Sequence, residues 1–173
     1  MTRLPDPDPS TQPADVREML ASLPPDPMVR ALSHATGTVN LFIQMARAQF
    51  TSLALSSRSR ELVTLAVAVR TECAFVLAQH QPMALAAGVD ERTQDLVRAG
   101  RFDDPLLTAY DRTLLRFTDT VVAAPTVGDA LFAEIRAILT PREIVEVLQV
   151  IGYYWTFGRV NTVLQVPLTT VYG

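Results

Sequence analysis

Lysine is absent from the 173 residues, so all fifteen basic residues are arginine. That excludes a lysine Schiff base and the internal aldimine of a pyridoxal phosphate enzyme. Cysteine occurs once, as Cys73. One thiol makes no internal disulfide, which fits a reducing compartment, and a cytoplasmic location is expected. Histidine occurs twice, as His34 and His80, and with one cysteine this is a thin ligand set for zinc. No glycine-rich phosphate loop is present. No apolar run approaches the ~20 residues that span a bilayer, so no membrane partner is expected. The start, MTRLPDPDPS, has no apolar signal core, and export is not expected. The net charge is −3 with no basic block, so nucleic acid is not an expected partner either. An enzyme built from this chain would work without a tightly bound organic cofactor or metal.

What is present is mostly apolar. Hydrophobic residues make up 49% of the chain. Its length suits one domain with a sizeable core, and the apolar excess suits surface buried between subunits. Seven of the twelve prolines fall in residues 1–27. Pro5, Pro7 and Pro9 fix an extended start, and Pro24, Pro25 and Pro27 form a second stop around a short helix, Ala14 to Leu23. This divides the chain into a proline-rich arm, 1–27, lying on the surface or on a neighbouring subunit, and a helical domain, 28–173.

The remainder has the 3.6-residue period of helices, and the fold class is all-α. One helix is expected over Val29 to Phe50. RELVTLAVAVR, Arg60 to Arg70, is apolar on most sides and suits a buried helix. Thr71 is the expected N-cap of the next helix, which stops at Gly88 and is kinked or divided at Pro82. Asp90 caps a short helix. Pro105 to Val122 and Val127 to Leu139 form two more. Thr140, Pro141 and Glu143 make a capping box for the last, which begins REIVEVLQVIGYYWTF and echoes RELVTLAVAV.

Cys73 is expected second in its helix, where free N–H groups and the dipole lower a thiol pKa. His80 follows seven residues later, about two turns away on the same side. Glu61 is a carboxylate in an otherwise apolar helix and needs a partner. If the chain reverses near Thr71, Glu61 faces His80, and the two form an acid–base pair. Each residue also has a plain structural role open to it. Cys73 serves equally as a small buried hydrophobe. Glu61 pairs equally with Arg58 or Arg70. His34 lies in polar SHATGT and is expected at the surface. Tyr153, Tyr154, Trp155 and Phe157 suit a core or a subunit interface. Arg159 either binds a substrate carboxylate or faces solvent.

The string SSRSRELVTLAVAV…ECAFVLAQHQPMALAAGV resembles the carboxymuconolactone decarboxylase and alkylhydroperoxidase D superfamily, specifically over Leu55 to Val89. The similarity continues more weakly through TPREIVEVLQVIGYY and the Asn161 segment. The family pattern is a Glu in an RELV-like helix, a Cys twelve residues on, a second Cys or polar residue three further, and a His seven after the first Cys. Glu61, Cys73, Val76 and His80 fall on those places. The resemblance implies a helical subunit of a homotrimer or homohexamer. In the alkylhydroperoxidase D branch two cysteines form a dithiol, but Val76 replaces the resolving cysteine here, so no CxxC disulfide forms. The Glu that decarboxylase-like members often carry at that place is missing too.

The expected activity is therefore cofactor-free acid–base chemistry of carboxymuconolactone decarboxylase type on a small carbonyl or carboxylate compound. In it His80 is acid or base, Glu61 orients it and Cys73 lines the site. Phe75, Val76, Tyr154 and Arg159 are the expected pocket. A one-cysteine peroxidase with peroxiredoxin-type, antioxidant activity at Cys73 is the first alternative. A non-catalytic oligomeric ligand-binding protein is the second.

Overall fold

In the computed structural model, residues 2–168 are described, and they contain helices and no strands. The last five residues of the expected 28–173 domain lie outside them. In chain order the helices are α1 (Ala14–Ala21), α2 (Pro27–Leu32), α3 (Val39–Thr51), α4 (Ser57–Arg70), α5 (Ala74–Ala86), α6 (Glu91–Arg98), α7 (Ala109–Ala123), α8 (Asp129–Ile138) and α9 (Pro141–Leu164). No helix among the described residues is long and apolar enough to cross a membrane.

The centre of the fold is α4, which is enclosed by α5, α6, α7 and α9. Its ten successive residues Ser59 to Ala68 are all buried, as an all-round apolar helix requires. Leu62, Val63, Leu65 and Val67 are each at most 1% exposed. Full burial of such a side chain stabilises by roughly 1.5–3 kcal/mol. That sets the scale against which a carboxylate in the same helix must find compensation.

Three expected boundaries move, each for a local reason. The single helix over Val29 to Phe50 is two helices, α2 and α3. The intervening Ser-His-Ala-Thr-Gly-Thr run is poor in helix formers, and Ser33 and Ala35 close α2 through bonds to Val29 and Leu32 carbonyls. Helix α7 begins at Ala109 rather than Pro105. Asp104 folds the preceding residues into a turn by accepting from the Leu106 and Leu107 amides, and Thr108 caps the helix through the Asp111 N–H. Pro82 does not divide α5, which continues to Ala86.

The third moved boundary, the end of α4, positions the site. Thr71 ends α4 instead of starting α5, with its hydroxyl donating to the Val67 carbonyl at 2.8 Å. Glu72 follows in the left-handed region at φ +55°. The Glu72 N–H reaches Val69 O, and the Cys73 N–H reaches Ala68 O. This is a Schellman arrangement with glutamate where glycine is usual, at a strain of about 1 kcal/mol. Cys73 is at once the N-cap of α5. The reversal takes three residues and lays α5 back along α4.

Helix α9 closes the bundle. Its capping box is present as expected, with Thr140 and Glu143 bonded reciprocally. Glu146 accepts from the Ala54 and Leu55 amides at 3.1 and 2.8 Å and so fixes the loop that leads into α4. Gly158 lets α9 approach the reversal. A Cβ at that position would lie 3.1 Å from Thr71 Oγ1 and 3.4 Å from Cys73 Cβ. The proline-rich segment runs along the chain's own body. Gln12 donates to Ser33 Oγ at 2.8 Å, the Arg3 N–H donates to Leu164 O, and Val16 is fully buried.

Candidate active site

Glu61 and His80 meet. The reversal at 71–73 returns the chain antiparallel, and Glu61 Oε2 lies 2.8 Å from His80 Nδ1. Glu61 is 0% exposed. Its other oxygen accepts from Arg60 Nε at 3.1 Å and Nη2 at 2.8 Å. Burial, the largest single influence, pushes the carboxyl upward. The bonds and charges of His80 and Arg60 together outweigh it, and Glu61 is held below the usual carboxylate range. An ionised carboxylate only accepts hydrogen bonds, so Nδ1 carries the proton. In the neutral ring Nε2 then has a free lone pair, the tautomer a general base requires.

Arg60 was not legible as the partner. Neighbours at i and i+1 on a helix do not normally face each other, so Arg58 and Arg70 were the better sequence candidates. Those two are committed elsewhere. Arg58 forms a two-pronged bond to Asp111, and Arg70 pairs with Asp119. Arg60 reaches Glu61 because its own helix is enclosed. Its guanidinium stacks over Phe50 at 4.2 Å from the ring centre and donates to Gln49 O.

His80 opens onto a cavity of about 490 Å³. Phe75, Val76, Gln79, His80 and Met83 form its α5 wall, a stripe of helical spacing. Ile43 and Phe50 contribute from α3, and Tyr153, Tyr154 and Phe157 from α9. The Tyr154 ring meets His80 edge-on at 4.8 Å between centres. Burial pushes the Tyr154 hydroxyl well up, and the Glu61 charge adds to it, so the phenol is never ionised near neutral pH. Trp155 lies outside this wall, 44% exposed. His34 is at the surface against the Pro5 carbonyl.

Two expectations are corrected here. Cys73 does not line the cavity and is not disposed to ionise. It is 0% exposed, and its thiol donates to Asn161 Oδ1 at 3.5 Å. Burial pushes the thiol up. The backbone N–H groups of Val76 and Phe75 and the charge of Arg159 act the other way but do not prevail. The helix-start argument had the right sign, and desolvation exceeds it. Arg159 is also not in the cavity. It is exposed, reaches the Thr71 carbonyl at 3.4 Å and lies over Trp155. Leu23 and Asp26 from the proline-rich segment, and Arg47 from α3, are among the cavity residues that had no signal in the sequence.

The all-helical bundle, with a buried Glu–His pair joined across a tight reversal and opening on a cavity, defines an alkylhydroperoxidase D-like fold. It is similar to the alkylhydroperoxidase AhpD core structure from Ralstonia eutropha, an uncharacterized peroxidase-related protein, with a TM-score of 0.80 at 18% identity over 99% of this chain and 94% of that one. It is similar to an uncharacterized peroxidase-related protein of Silicibacter sp., with a TM-score of 0.79 at 20% identity over 99% and 94%. The debrominase Bmp8 in complex with 2,3,4-tribromopyrrole is a third neighbour, with a TM-score of 0.74 at 10% identity over 99% and 96%. Residues 37–106 match the model of the carboxymuconolactone decarboxylase family. The superfamily that the sequence resembles is therefore the one whose family model and fold this chain matches. No curated protein matches the chain.

Proposed function

We propose that the protein is a cofactor-independent enzyme of carboxymuconolactone decarboxylase type, acting by proton transfer on a small carbonyl or carboxylate compound with an apolar body. The observation that carries this reading is the 2.8 Å contact between buried Glu61 and the Nδ1 of a histidine that faces a cavity. The Nδ1 contact orients the ring and fixes its tautomer, which leaves Nε2 as the nitrogen available to a substrate. In an isomerisation Nε2 takes a proton from one carbon and returns it to another. In a decarboxylation the ring, first protonated on Nε2 from solvent, delivers that proton to the carbon that keeps the electron pair when carbon dioxide leaves, and returns to the neutral form. Glu61 stabilises the imidazolium formed between those steps, and Arg60 keeps Glu61 ionised.

The aromatic walls suit a flat, unsaturated substrate body. The tribromopyrrole held by the debrominase neighbour supports an apolar ring of that size in this fold. The peroxidase alternative has less support, because the only thiol is fully buried, turned to Asn161 and pushed up by burial.

The test is exchange of carbon-bound protons in heavy water, followed by proton NMR with carboxymuconolactone and simpler γ-lactones. The intact protein should accelerate exchange or product formation, and His80→Asn should slow it by roughly 10²–10⁴-fold. Equal rates for the two proteins would reject the reading.

A further inference from the structure

The cavity's walls carry little charge. Besides His80, the charged residues in the described lining are Asp26 and Arg47. Asp26 is buried at 4% exposure, and its Oδ1 accepts the Met28 N–H at 2.7 Å, which caps α2. Arg47 is exposed, on α3 one turn before Thr51, which also lines the cavity. The Thr51 hydroxyl is taken, donating to the Arg47 carbonyl at 3.0 Å. Among the described residues the Arg47 guanidinium forms no ion pair, which it shares with Arg3, Arg17, Arg92, Arg112, Arg136 and Arg159, and of these Arg47 is the one in the cavity lining.

We infer that Arg47 recognises the anionic group of the substrate, holding a carboxylate at the mouth of the cavity while the apolar body lies inside against Val76, Phe75 and Phe157. This rests on the function proposed above and adds to it the substrate's polarity and direction of entry. A carboxylate placed deep among those side chains would lose its hydration with few donors to replace it. At the mouth it keeps part of its water and meets a guanidinium whose planar fork matches it. Asp26, in the same wall, repels an anion placed beside it and directs it to the α3 side. The apolar body is then delivered to His80, so the reacting carbon belongs to the buried end. Arg159, the sequence candidate for this task, lies outside the cavity on the Thr71 carbonyl.

Benzoate and benzamide are the probes, being alike in shape and different in charge. Their dissociation constants are measured by calorimetry on the full chain at low salt and again at 0.5 M NaCl. Benzoate should bind about tenfold more tightly than benzamide, a difference of about 1.4 kcal/mol. Salt should shrink that preference, because a charge at the mouth is screened. Arg47→Gln should remove the preference and leave benzamide within about twofold, Arg47→Lys should retain part of it, and Arg159→Gln should change neither. Equal binding of the two probes, with Arg47→Gln altering neither, overturns the inference and leaves the cavity reading intact. Failure of both probes to bind at millimolar concentration overturns both. Circular dichroism of each variant separates lost binding from lost folding.

Discussion

Helix α5 presents two titratable side chains seven residues apart, and their surroundings are opposite. His80 meets a carboxylate on one side and a cavity on the other. Cys73 meets the Asn161 amide and is closed off where α9 passes at Gly158. Both groups are buried, yet the pair is buried with compensating charge and the thiol without it. Burial alone therefore does not identify a reactive group. What matters is whether the charged form has a partner and whether a substrate can reach it.

The largest expected effect comes from breaking the charged side of this comparison. Glu61→Ala leaves Arg60 and the His80 Nδ1–H facing a buried gap, and urea unfolding should show a loss of about 3–5 kcal/mol. The uncharged side should respond differently. Alkylation of Cys73 at pH 7 should be at least roughly tenfold slower than that of a free cysteine, whose pKa is about 8.5. A pH–rate profile with its midpoint at or below that value would contradict the closed thiol.

A second buried glutamate separates structure from chemistry. Glu146 is pushed up by its burial but held below the usual range by the Leu55 and Ala54 N–H groups and by Arg142. Glu61 is also held low. A carboxyl depressed in the folded state adds stability that is present above its unfolded pKa of about 4.3 and is lost as pH falls through the folded value. Stability should therefore decline on acidification below about pH 5. Glu146→Gln should cost about 1–2 kcal/mol at pH 7. The difference from the parent should fade below pH 4, and benzoate affinity should be unchanged throughout. The smallest effect belongs to Arg159→Gln. Its side chain is exposed and makes one long bond, so thermal unfolding should place it within about 0.5 kcal/mol of the parent.

Much of this was legible in residue order. The apolar run around Glu61 announced a buried helix. The Thr140-Pro141-Arg142-Glu143 start specified the capping box of α9, and Gly88 the end of α5. The juxtaposition of Glu61 with His80 followed from a chain reversal, and that reversal could be anticipated without its geometry. Its form could not. Thr71 is as good a cap by composition as any residue nearby, and only the accommodation of Glu72 at positive φ made Cys73 the cap instead.

By itself, the sequence determined most of the helical segments, because periodicity and capping are local, but not the break at 33–38 or the end of α4. It also determined that a carboxylate, an imidazole and a single thiol would lie near one reversal, because their spacing sets their distances along α4 and α5. Only the tertiary structure decided that the thiol is closed and the imidazole open, that Arg60 serves Glu61, and that Asp26 and Arg47 share the cavity. Those outcomes depend on where α3 and α9 pass over the α4–α5 pair. Solvent access and the balance of charge against desolvation are properties of that packing, and no short stretch of residues contains them.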